Sequence, residues 1–100
     1  MNIKSIKKQY PNPVAAQEEA TDTDYCVGGA YVLAHGGEDR FPFPHELTNM
    51  LQKQNPALPH LIARRLAGHT IRYSNAGEFA RAWRYLEEAD GWTPAPRTEV

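Results

Sequence analysis

Apolar side chains along this chain recur mainly at helical spacing. Ile3, Ile6 and Tyr10 lie three and four residues apart, with Asn2 placed to cap them. Pro11-Asn12-Pro13 stops that short helix, because proline brings no amide hydrogen and its ring clashes with the preceding turn. Residues 14–24 hold Glu18, Glu19, Asp22 and Asp24 and few large apolar groups, the pattern of a solvated connector. Asp22, Thr23 and Asp24 are N-cap residue types, and residues 25–35 then run almost without charge until Gly36-Gly37. A segment apolar on every side is expected to be a buried central helix. Val27, Val32 and the Gly28-Gly29 pair keep a strand open as the alternative. Each glycine costs a helix about 1 kcal/mol, which close approach of another backbone would offset.

Residues 36–44 form a loop from which Phe41 and Phe43 are expected to plug the core, and Pro44 suits the first turn of the next helix. Leu47, Met50, Leu51 and Gln54 share one face before Asn55-Pro56 closes that element. Pro59 opens a longer helix from His60 to about Tyr73, with Leu58, Leu61, Ile62 and Leu66 as its buried stripe. A break at Ser74-Asn75 follows, where Asn75 and Glu78 resemble a capping box. Phe79, Ala82, Trp83 and Leu86 then fall at i, i+3, i+4, i+7, and Gly91 ends the last helix with Trp92 folding back as an apolar lid. The short break makes the last two helices antiparallel neighbours. The expected fold is all-α: a small bundle of four to five short helices around a central helix at about residues 25–35. Residues 1–92 form one domain and 93–100 a flexible tail.

Bulk properties narrow the function. A chain of 100 residues holds one domain and a compact core, which dimerisation would enlarge. The formal net charge of −1 gives no global field toward nucleic acid or anionic lipid. A single cysteine excludes an internal disulfide, and the basic start is followed by no apolar run, so no signal peptide or membrane span is expected and the cytoplasm is the default compartment.

Three chemistries compete for attention. Cys26, in the first turn of its helix, with His69 as base and Asn75 as orienting group, would make a thiol-dependent hydrolase. The competing reading packs Cys26 as a small hydrophobe, and it is preferred because the neighbours Tyr25, Val27 and Ala30 are core types. His35, His45, His60 and His69 include no pair at i, i+3 or i, i+4, so no metal site and no cofactor is expected. Arg64, Arg65, Arg72, Arg81 and Arg84 fall within 21 residues containing one acid, Glu78. With Tyr73, Trp83 and Tyr85 to stack on bases, that stretch would suit nucleic acid. The opposing reading is a solvated face whose arginines pair locally, as Arg84 with Glu88, or are neutralised by the acids of 18–24. Glu87, Glu88 and Asp90 are expected to be plain surface.

Tyr10-Pro11-Asn12-Pro13, Tyr25-Cys26-Val27-Gly28-Gly29-Ala30, Asn55-Pro56-Ala57-Leu58 and Asn75-Ala76-Gly77-Glu78-Phe79 with Ala82-Trp83 form a further ensemble. Over residues 10–92 it resembles a group of small uncharacterised bacterial and phage proteins, in which an aromatic-Cys-x-Gly-Ala helix precedes an Asn-x-Ala helix. The resemblance implies an all-helical fold and no particular activity. It departs at Ser74-Asn75-Ala76, where the group's Asn-Asp pair has no acid.

The sequence thus favours a non-enzymatic interaction or regulatory module that binds a protein partner or a second copy of itself. Arg65, Arg72, Phe41, Phe43 and Trp92 are the expected binding residues. A thiol enzyme and a weak nucleic-acid binder are the alternatives.

Overall fold

The computed structural model describes residues 2–9, 27–37 and 42–94, which contain five α-helices and no β-strand. They are α1 (Ile3–Gln9), α2 (Val27–Ala34), α3 (Pro44–Gln54), α4 (His60–Asn75) and α5 (Phe79–Gly91). The architecture is a small helical bundle, as the periodicity predicts.

The apolar run does form a helix rather than a strand. In α2, Val27, Gly28, Ala30, Tyr31 and Val32 are all buried, and the helix touches each of the other four. The Val27 N–H donates to the buried Ser74 Oγ of α4 at 3.0 Å, a bond that ties the two helices together across 47 residues of chain. The residues expected to cap α2 from the sequence, 22–24, lie outside the described residues, as do Tyr10, Cys26 and Phe41.

The exit of α2 is closed by a Schellman arrangement. Gly36 takes φ of 87° and donates to Leu33 O, and Gly37 donates to Val32 O. The same device ends α4. Gly77 takes φ of 79° and donates to Ser74 O, and Glu78 N–H reaches Tyr73 O at 2.8 Å. This corrects the expected break at Ser74-Asn75. The helix runs on to Asn75, and Gly77 turns the chain because a residue without Cβ adopts positive φ without strain. Glu78 becomes the N-cap of α5 with no side-chain cap bond, so the capping box does not form.

Elsewhere local chemistry sets the ends as expected. Asn2 Oδ1 accepts Ser5 N–H at 2.9 Å at the start of α1. Glu46 accepts Phe43 N–H at 3.0 Å and Pro44 occupies the first turn of α3. Asn55, just past α3, donates from Nδ2 to Ala89 O and Trp92 O, both at 2.9 Å, tying that corner to the end of α5.

Two core assignments need correction. Phe43 is 58% exposed, whereas the adjacent Pro42 is buried below 2%. Leu61 is 68% exposed, whereas Ala63, Leu66 and Ala67 carry the buried stripe of α4 and Leu58 is buried just before the helix. Leu61 stands two residues from Ala63, about 200° around the helix, and so faces outward. On α5 the predicted face holds in full, with Phe79, Ala82, Trp83, Leu86 and Ala89 buried. Helices α4 and α5 pack on each other more extensively than any other pair, and they run antiparallel. Among the described residues, no helix is long and apolar enough to cross a membrane.

Candidate functional site

One side of the α4–α5 hairpin gathers aromatic and cationic groups, with Tyr73 and Tyr85 packed on the edge of the core. Arg65, His69, Arg72 and Tyr73 recur at four, three and one residues, which keeps them on one face of α4. His69 and Tyr73 are half-buried, with ring centroids 6.2 Å apart. Tyr85 reaches across from α5 and stacks on both, 5.0 Å from His69 and 5.6 Å from Tyr73, with planes 26° and 20° apart. Arg81, one turn before Tyr85, lays its guanidinium 4.0 Å from the Tyr73 centroid. That is within the range of an attractive cation–π contact. Arg72 lies 5.9 Å from the same ring. Interaction with the Tyr85 side chain pushes the Arg81 pKa further up, so its charge is permanent. Antiparallel packing produces this cluster directly: it sets position 85 beside 69 and 73, and position 81 over 73.

The charges on this face are largely uncompensated among the described residues. Arg81 lies 3.9 Å from Glu78, with both side chains about half exposed. An exposed pair of that kind contributes little. The expected pairing of Arg84 with Glu88 is not made. Instead both line a shallow groove of about 580 Å³ along α5 with Arg81, Tyr85 and Glu87. Arg64 and Arg65 line a smaller hollow beside the exposed Leu61.

A second polar cluster lies on the inner side of α5. Tyr31 is completely buried, and its hydroxyl donates to Asp90 Oδ1 at 3.1 Å. The His35 ring meets Tyr31 edge-on with centroids 4.6 Å apart. Its Nε2 is buried without a hydrogen-bond partner. Burial pushes the Tyr31 pKa up, raises that of the Asp90 carboxyl and lowers that of His35. Asp90 is therefore half-buried structure, not the plain surface expected from the run of acids at the end of α5.

The predicted site residues scatter among these regions. His69, Arg65 and Arg72 fall on the outer face. Asn75 is exposed at the end of α4, six residues beyond His69. That separation is about 9 Å of helix rise and well over 90° of rotation, and no hydrogen bond joins the two. The thiol that would complete a catalytic set, Cys26, is outside the described residues, as is Phe41. Phe43 stacks on His45 with centroids 5.7 Å apart, at the start of α3. Trp92 is half-buried and packs on the core, its carbonyl held by Asn55. Trp83, expected to stack on bases, is 2% exposed and fills the core. Among the described residues no group of three or more His, Cys, Asp or Glu is placed to hold a metal ion.

The stacked trio was missed although part of its signal is local: His69 to Tyr73 and Arg81 to Tyr85 are both i, i+4 pairs. The Tyr31–Asp90 bond joins positions 59 residues apart and leaves no such trace. No protein-family model, characterised protein or solved structure matches the chain.

Proposed function

We propose that the protein is a non-enzymatic docking module that holds another protein on the outer face of α4 and α5. The observation that carries this reading is the His69–Tyr85–Tyr73 stack with Arg81 over Tyr73, half-buried at the edge of the core and flanked by the exposed Arg65, Arg72 and Arg84. The same helices bury Leu66, Trp83 and Leu86 on their inner side. Tyrosine and arginine are enriched among the side chains that anchor protein interfaces; tyrosine offers a large contact area and a polar tip for few rotatable bonds, and arginine a planar, multidentate donor. Here mutual stacking already restricts them, so little side-chain freedom is left to lose on binding.

The test is an unbiased selection of peptides on the folded protein, followed by amide NMR mapping. Selected peptides are expected to shift Tyr73, Arg81 and Tyr85. The pair Tyr73→Ala with Tyr85→Ala should weaken them by about tenfold or more while the unfolding transition stays cooperative. Peptides that bind elsewhere, with unchanged affinity for the double variant, would refute the reading.

A further inference from the structure

We infer that the occupant of this face is an acidic helix of another protein, carrying a basic residue about two turns from its acids; the inference rests on the docking reading above. The acids would meet Arg72, Arg81 and Arg84, and the basic side chain would meet Glu87 and Glu88.

Charge is the first argument. Arg72 and Arg84 make no ion pair with any described acid, and Arg81 makes only the long contact with Glu78. Arg81 is fixed over Tyr73 and stays protonated. A guanidinium held in one place is pre-organised for a carboxylate, which it can grip through two parallel N–H donors.

The arrangement of signs is the second argument. The groove along α5 is lined by Arg81, Arg84 and Tyr85 at one end and Glu87 and Glu88 at the other. From Arg81 to Glu88 the helix rises about 10 Å, or two turns. Arg81, Arg84, Tyr85 and Glu88 stand at i, i+3, i+4 and i+7, the anchor spacing that a second helix laid alongside matches. A partner with its acids near Arg81 and a lysine seven positions along satisfies both ends. One charged throughout with a single sign does not.

The same details disfavour a nucleic acid. A base stacking on Tyr73 would have to displace Arg81, whose guanidinium lies 4.0 Å from the ring centroid. A phosphate backbone following the groove would also run over Glu87 and Glu88. The chain's net charge of −1 supplies no long-range pull toward a polyanion.

The experiment titrates the ¹⁵N-labelled full chain with an alanine-based helical peptide. The peptide carries two glutamates one turn apart and a lysine seven positions after the first. A scrambled peptide of equal composition and a thymidine oligonucleotide are the comparisons. The expected result is shifts centred on residues 69–88. Binding should weaken about tenfold for Arg81→Gln with Arg84→Gln, weaken for the scramble, and weaken at about 1 M salt, where charges are screened within about 3 Å. Both substitutions are at exposed positions, so folding should be retained. If the acidic peptide causes no shift while library peptides of other chemistry still bind this face, the partner chemistry is wrong and the docking reading stands. An oligonucleotide that binds here as well as the peptide overturns the inference in favour of nucleic acid. Concentration-dependent self-association abolished by Tyr85→Ala overturns it in favour of a second copy. If no peptide of any kind binds the face, both readings fall.

Discussion

On the inner side of α5, Tyr31 has no exposed surface and gives its hydroxyl to Asp90, with His35 edge-on against its ring. On the outer side of the same helix, Tyr85 is half-exposed, stacked on His69 and Tyr73, and accompanied by arginines. The two clusters use nearly the same side chains: tyrosine, histidine and one charged partner. Inside, burial has turned the polar tips toward one another, and each group is judged by whether it has a partner. Outside, the rings stack on one another at the edge of the core, packed partly against it and partly open to solvent. Residue type therefore says little about role in this bundle. The side of the helix on which a residue falls says a great deal.

The comparison breaks most readily at its tyrosines. Tyr31→Ala removes a large, fully buried ring and leaves a cavity next to Asp90, so a loss of about 3–5 kcal/mol of unfolding free energy is expected. Tyr85→Ala removes a half-exposed ring whose stacking contributes about 0.5–1.5 kcal/mol beyond its buried area, so the loss should be well under half of that at position 31. Urea unfolding of both variants measures the difference. Comparable losses would make the outer cluster a structural element and remove the main reason to regard it as a docking surface.

Asp90 sharpens the inner half. Asp90→Leu leaves the Tyr31 hydroxyl buried without an acceptor, at a cost of about 1–3 kcal/mol. Asp90→Asn keeps an acceptor and removes a charge that burial disfavours, so its unfolding free energy at pH 7 should stay within about 1 kcal/mol of the parent. Equal effects of the two would show that the hydrogen bond contributes nothing.

How far these regions could be read from the chain follows from the distance over which each is specified. Helices α3 and α5 were legible because their apolar stripes repeat within a few residues, and α2 because no polar residue interrupts it. The end of α4 was misread because Asn75 and Glu78 have the types of a capping box, whereas the Gly77 turn, two residues beyond the break expected at Ser74-Asn75, decides where the chain reverses. Phe43 and Pro42 exchanged roles because loop geometry, not hydrophobicity, selects which neighbour points inward. The arginine asymmetry pointed to the right pair of helices. What it could not supply was the antiparallel register that puts Tyr85 over His69 and Tyr73 and leaves Trp83 in the core.

The inner cluster should also give stability a pH dependence that the outer one need not. Burial holds the His35 imidazole below its usual value, so the native state resists a proton that the unfolded chain accepts near pH 6.5. Its contribution is present above that pH and is lost as the pH falls toward the lowered native value. Asp90 acts with the opposite sign. Its raised native value lets the folded state bind a proton first, so it regains stability on acidification through that range and partly offsets the loss. Thermal unfolding compared at pH 7.5 and 5.5 should show a drop for the parent and a smaller drop for His35→Gln. An identical drop in both would mean that other groups set the acid limb.

The smallest effect expected is at Leu61, and it bears on where the working face stops. Leu61 is 68% exposed beside Arg64 and Arg65, on the helix that carries His69 and Tyr73 two and three turns later. A lone exposed leucine is ordinary on a protein surface. With little buried area to lose, Leu61→Gln should change unfolding free energy by no more than about 0.5 kcal/mol. Its effect on binding discriminates more sharply. If the partner lies only along Arg81, Arg84 and Glu88, the acidic peptide should bind Leu61→Gln as it binds the parent, because the residues that line that groove all belong to α5. If instead the affinity falls together with the Arg81 and Arg84 effects, the apolar side chain belongs to the same footprint. The partner must then cross both helices rather than lie along α5.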